Sequence, residues 1–68
     1  MSVKVLPRHV RAAKICMPGS RKWVRAQGLD WAVFVSEGFD SDMLLEINDP
    51  IVNRAVAEAL KEAEHGRG

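Results

Sequence analysis

The sequence predicts a mostly helical fold, a small bundle of four to five short helices behind a short extended N-terminal arm. Three observations carry this. Gly28 and Gly38 divide residues 18 to 48 into three short helical patterns, each glycine falling where a helix can end in a left-handed residue. Asp49-Pro50 then opens a longer apolar stripe, a capping side chain ahead of a proline at the first helical position. At the other end, Ser2 to Leu6 alternates as a strand does until Pro7 stops it. The 68 residues are read as a single domain with an arm at 1–7, a helical core at 8–64 and a frayed tail at 65–68. Ordering such a chain costs on the order of 100 kcal/mol, so nearly every large apolar side chain is needed inside.

The elements follow in order. No second strand with a hairpin turn follows the arm, so it is expected either to pack loosely or to pair with another chain. Residues 8 to 16 suit a short helix with Val10 and Ala13 or Lys14 on successive turns. Met17 precedes Pro18, which ends that segment. Pro18 or Ser20 opens the next helix, with Ser20 as N-cap and Gly28 as the residue past its end. Asp30 caps a third helix that is apolar nearly all round through Trp31, Val33, Phe34 and Val35, and is expected at the centre of the core. Asp40 or Ser41 caps a fourth helix carrying Met43, Leu44 and Ile47, with Asn48 at its end. From Pro50 to about Glu64, Val52, Val56, Leu60 and Ala63 form a stripe, widened by Ile51, Ala55 and Ala59. Arg54–Glu58 and Glu58–Lys61 lie at pairing distance on the outer face.

The net charge of +1 hides a division. Residues 1 to 28 hold Lys4, Arg8, Arg11, Lys14, Arg21, Lys22 and Arg25 and no acid, while all nine acids fall in residues 29 to 68. Such a division fits pairing of the two halves with each other or across subunits, or a basic face for an anionic partner. The lone Cys16 excludes an internal disulfide and a multi-cysteine zinc site. The chain has neither a long apolar run nor a basic-then-apolar leader, which predicts a soluble, cytosolic protein without a membrane partner.

Among local features, Pro18-Gly19-Ser20-Arg21-Lys22 offers free helix amides, a hydroxyl and two cations, a plausible place for an anion. Ser20, Arg21, Lys22 and Arg25, with Arg8 and Arg11, are the candidate partner- or anion-binding residues. Val3 and Val5 on the arm, with Arg54 and Glu58 on the last helix, are the candidate interface. The helices at 18–27 and 31–37 have helix-turn-helix spacing, but the second offers Asp30, Ser36 and Glu37 where base-reading needs Arg, Lys, Asn or Gln. Any nucleic-acid contact therefore falls to Arg8, Arg11, Arg21, Lys22 and Arg25 and reads backbone, not sequence. His9 and His65 are far apart without ligand spacing, so neither metal nor cofactor is expected. Cys16 is read as a buried structural thiol, Trp23 and Trp31 as core residues, and Asp40, Asp42, Glu46 and Asp49 as caps or solvated positions. No catalytic residue is assigned, since a paired-carboxylate site needs a cleft that so small a core hardly provides.

Val10-Arg11-Ala12-Ala13, Cys16, Gly19, Arg21, Trp23, Gly28-Leu29-Asp30-Trp31, Phe34, Gly38, Leu44-Leu45 and Asp49 together resemble a set of short phage- and prophage-encoded proteins. In that set a Gly-x-Arg helix bearing an aromatic residue precedes a Gly-Leu-Asp-Trp turn. The resemblance spans about residues 3 to 60, and Lys14 stands where the set often carries glycine. It implies a phage origin, and phage proteins of this size commonly act by binding. The expectation is a non-enzymatic interaction protein that binds, and so inhibits or redirects, a host or phage protein, as a dimer through its arm. The alternatives are a nucleic-acid-binding phage regulator using the basic half and a small component of virion assembly.

Overall fold

The structure, a computed structural model of the chain, describes residues 2–65. Five helices and one two-stranded antiparallel sheet follow in the order β1 (Lys4–Val5), α1 (Pro7–Ala12), α2 (Met17–Ala26), α3 (Trp31–Ser36), β2 (Phe39–Asp40), α4 (Ser41–Ile47) and α5 (Pro50–His65). The mostly helical class expected from the caps and stops is the class observed. Of the expected tail, His65 is the last residue of α5 and residues 66–68 lie outside the described residues.

The arm is where the structure departs most from expectation. It pairs with its own chain: Lys4 stands opposite Asp40 and Val5 opposite Phe39. Ser41 extends the pairing by one residue, its amide donating to the Val3 carbonyl at 2.9 Å and its hydroxyl accepting from the Val3 amide at 3.0 Å. Val5 and Ser41 are each 1% exposed. One edge of the arm is therefore paired within the molecule, so the arm does not need a second copy as its strand partner. Val5, a candidate interface residue, is thus in the sheet and the core, while Val3 is half-buried and bonded to Ser41 beside it.

Gly38 makes this approach possible. It has φ +80°, and a Cβ there would lie 2.8 Å from both the Val5 carbonyl oxygen and Leu6 Cδ2. It both ends α3 and leaves room for the arm to cross.

Two other helix ends share one hydrogen-bond pattern. After α1, the Lys14 amide donates to Arg11 O and the Ile15 amide to Val10 O; after α2, Gly28 donates to Arg25 O and Leu29 to Val24 O. Each is a Schellman end around a left-handed residue, Gly28 at φ +72° and Lys14 at φ +60°. The first helix stops at Ala12 because of this turn, short of the expected residue 16.

The core gathers Val5, Val10, Val24, Phe34, Phe39, Leu44, Ala55, Val56 and Ala59. The Phe34 ring stacks on Phe39 with centroids 4.9 Å apart, and Trp31 tilts against Phe34 at 5.2 Å. Only Phe34 of α3 is buried; Val33 and Val35 are 38% and 54% exposed, so the expectation of a central, all-round-apolar helix is corrected. A six-residue helix at the surface buries one stripe, whatever its composition. The buried stripe of α5 is Ala55, Val56 and Ala59, with Val52 half-buried, while Ile51, Leu60 and Ala63 face out.

α5 lies chiefly against α1 and α4. Arg54 is not paired with Glu58; its Nη2 donates to the Ala13 carbonyl at 2.6 Å and ties α5 to the turn after α1. Glu58 keeps its expected neighbour, 4.0 Å from Lys61 Nζ. Asp49 caps α5 as expected, accepting from the Ile51 and Val52 amides through Oδ1, and its Oδ2 takes the Trp23 indole N–H at 3.2 Å. Among the described residues no helix is long and apolar enough to cross a membrane.

Candidate functional site

α2 opens one residue before Pro18, at Met17, with Cys16 in the N-cap position. Proline is tolerated in the first turn because its missing amide would have had no helical partner. The expected N-cap, Ser20, is therefore inside the helix. It is buried, its amide donates to Cys16 O at 3.0 Å, and its hydroxyl donates to the same oxygen at 2.9 Å. That hydroxyl is not free for an anion, so the anion site expected at Pro18–Lys22 does not form with Ser20 as a member. Cys16 is exposed, which corrects the expected buried thiol. No residue at the Cys16 N-cap supplies a capping side-chain bond.

The cations one turn further on do come together. Arg21, Lys22 and Arg25 share one side of α2, all exposed, and with Pro18 they form one wall of an open groove of about 670 Å³. The Gly28 turn folds the chain back so that Leu29, Asp30 and Trp31 form the other wall. Asp30 accepts from the Ala32 amide at 2.9 Å as the cap of α3. This holds Trp31 at the first position of the helix, where its half-buried ring faces α2. The Arg21 guanidinium carbon lies 5.7 Å from the Trp31 ring centroid, a cation–π contact of about 0.5–1 kcal/mol at an exposed site.

Electrostatically the groove is unbalanced. Arg21 and Arg25 are four residues apart on one helix, an arrangement that destabilises by roughly 0.2–0.5 kcal/mol. Among the described residues no carboxylate lies within 4.0 Å of Arg21, Lys22 or Arg25. The expected pairing of the basic and acidic halves is met at one place, away from the groove. There Arg8 on α1 grips Glu62 on α5 through two hydrogen bonds, Nε to Oε2 at 2.9 Å and Nη2 to Oε1 at 2.6 Å. These bonds, with a lesser contribution from His9, hold the Glu62 carboxyl down to about 2. The same contact raises the Arg8 guanidinium.

Arg8 is therefore committed within the molecule, and neither it nor Arg11, exposed on α1, lines the groove. His9 is 3% exposed and belongs to this second cluster. Its Nδ1 accepts from the Leu6 amide at 2.9 Å, and its Nε2 lies 3.1 Å from Glu62 Oε1, off the line of a good hydrogen bond. Trp31 and Leu29, read from the sequence as core and turn, belong to the groove. Their signal was the Gly-Leu-Asp-Trp turn at a fixed distance from Arg21.

The fold and the groove define a class, a small helical protein whose cations share an open groove with an aromatic side chain. Compared with protein-family models, with curated proteins and with solved structures, the chain finds no match.

Proposed function

We propose that this is a phage-encoded, non-enzymatic interaction protein that binds an acidic surface of a host or phage protein and inhibits or redirects it. The observation carrying the proposal is the groove of α2 and α3, where Arg21, Lys22 and Arg25 stand without carboxylate partners beside Trp31 and Leu29. Cations with a flanking aromatic and aliphatic floor form the mixed surface at which proteins recognise proteins, Trp and Arg being the side chains that most often dominate such contacts. Val33 and Val35 are exposed on the two flanks of α3 beside the buried Phe34, and both offer a nucleic-acid base no hydrogen bond. The phage origin rests on the resemblance of Gly19, Arg21, Trp23 and the Gly28–Trp31 turn to short phage proteins.

The test is affinity capture from infected bacterial lysate with the wild-type chain and with the Arg21→Glu/Lys22→Glu/Arg25→Glu variant. One protein recovered in stoichiometric amount by the wild type and lost with the variant is the expected result. Recovery of no such protein, or equal recovery by both chains, contradicts the proposal. Recovery of nucleic acid alone contradicts it in favour of backbone binding to phosphate.

A further inference from the structure

The other side of α2 is also open. α5 lies against α1 and α4, and α2 stands off from it, leaving a cleft of about 220 Å³. The core residues Phe34, Phe39 and Leu44 line its inner end, 3%, 7% and 2% exposed. Its rim includes Cys16 and Ile51, both exposed. The polar groups along its wall are already engaged, the Trp23 indole with Asp49 and the Ser20 hydroxyl with Cys16 O. Water held there would find few partners, and apolar cavities of this kind stay dry or take apolar guests. Size narrows the guest further: cavities of roughly 150 Å³ accept benzene, whereas drug-sized ligand sites begin near roughly 300 Å³. A single ring or branched aliphatic side chain fits.

We infer that this cleft seats one large apolar side chain, aromatic or leucine-like, from an acidic segment of the partner, whose carboxylates meet the cations across α2. The inference rests on the protein-binding reading above and names the chemistry of the recognised segment. α2 is the partition between the two concavities. Pro18, Arg21, Lys22 and Arg25 face the groove, while Gly19, Ser20, Trp23 and Val24 face the cleft. On the helix surface Gly19 and Lys22 are neighbours one turn apart, and both are exposed. Gly19 has no side chain, and the Cys16 thiol lies over it, 2.8 Å from where a Cβ would stand, so the exposed Cys16 side chain is what separates the two concavities at this edge of α2. Charge complementarity selects the occupant, because a bare hydrocarbon in the cleft would leave the three cations as they are.

The experiment is selection of a random-peptide display library against the full chain, followed by affinity measurements on the enriched peptides. The expected consensus is one Phe, Trp or Leu position flanked by Asp and Glu. Replacing that residue by alanine should weaken binding at least tenfold. So should Ile51→Glu, at a solvent-facing position, and alkylation of Cys16 with N-ethylmaleimide, which obstructs the mouth without a mutation. Unchanged helical circular dichroism would show that the fold survives each treatment. Acidic peptides that lose binding to the Arg21→Glu/Lys22→Glu/Arg25→Glu variant, yet ignore the anchor, Ile51 and Cys16, would overturn the cleft assignment and leave the basic surface standing. Enrichment of peptides without acid, or no enrichment, would overturn both.

Discussion

Glu62 sits where the two charge halves of the chain meet, and its behaviour follows from its partners. Exposed ion pairs usually contribute little, the two-pronged arginine–carboxylate grip being the favourable exception. The carboxyl falls from an ordinary 4.5 to about 2, first through the Arg8 hydrogen bonds and then through His9. A depressed folded-state value means the contribution is complete above about 4.5 and is lost as pH falls through about 2. The wild type should therefore melt above Glu62→Gln at pH 6, with the gap closing between pH 4.5 and 2. A gap unchanged across that range in thermal melts would contradict the assignment. The grip joins residues 54 positions apart, and no local pattern announces such a pair. Asp30 and Asp49 were legible as caps because capping is settled within three residues. Ser20 has the composition of a cap but lies inside α2, since Pro18 was accommodated in the first turn and not before it.

At the scale of elements, the helix stops were readable and the sheet was not. Gly28 and Gly38 both mark ends, as their left-handed φ values require. β2 has only two residues, Phe39 and Asp40, too few for any alternation to show, so the partner of β1 was hidden. The two glycines nevertheless differ in what they do. A Cβ at Gly28 meets nothing within 4 Å, whereas at Gly38 it meets the Val5 carbonyl and Leu6. Gly28→Ala should cost about 1 kcal/mol, the strain of a left-handed alanine. Gly38→Ala should cost at least about 2 kcal/mol, because the arm must also shift. Each kcal/mol lowers the melting temperature by roughly 4–8 °C in a chain of this size. Equal losses in calorimetry would show that the arm does not pass over Gly38. Lys14 belongs to the same logic: it holds a left-handed turn at φ +60°, a conformation that favours glycine, and the Schellman bonds form around it all the same.

For the whole molecule, the division of charge was plain in the sequence, but its use was not. Most of the basic half does not close onto the acidic half; Arg8 does so, and Arg21, Lys22 and Arg25 are gathered beside Trp31. That gathering depends on how the Gly28 turn sets α3 against α2, a three-dimensional fact that spacing only hinted at through the Gly-Leu-Asp-Trp run. A small core also does not mean a featureless exterior. By leaving α2 away from α5, the fold keeps a groove and a cleft on either side of one helix. The most direct measurement is hydrogen exchange on the captured complex against the free chain. Slowed exchange centred on residues 18–31, the α2–turn–α3 wall, is the expected result. Protection confined to α1 and the outer face of α5, with 18–31 unchanged, would contradict it.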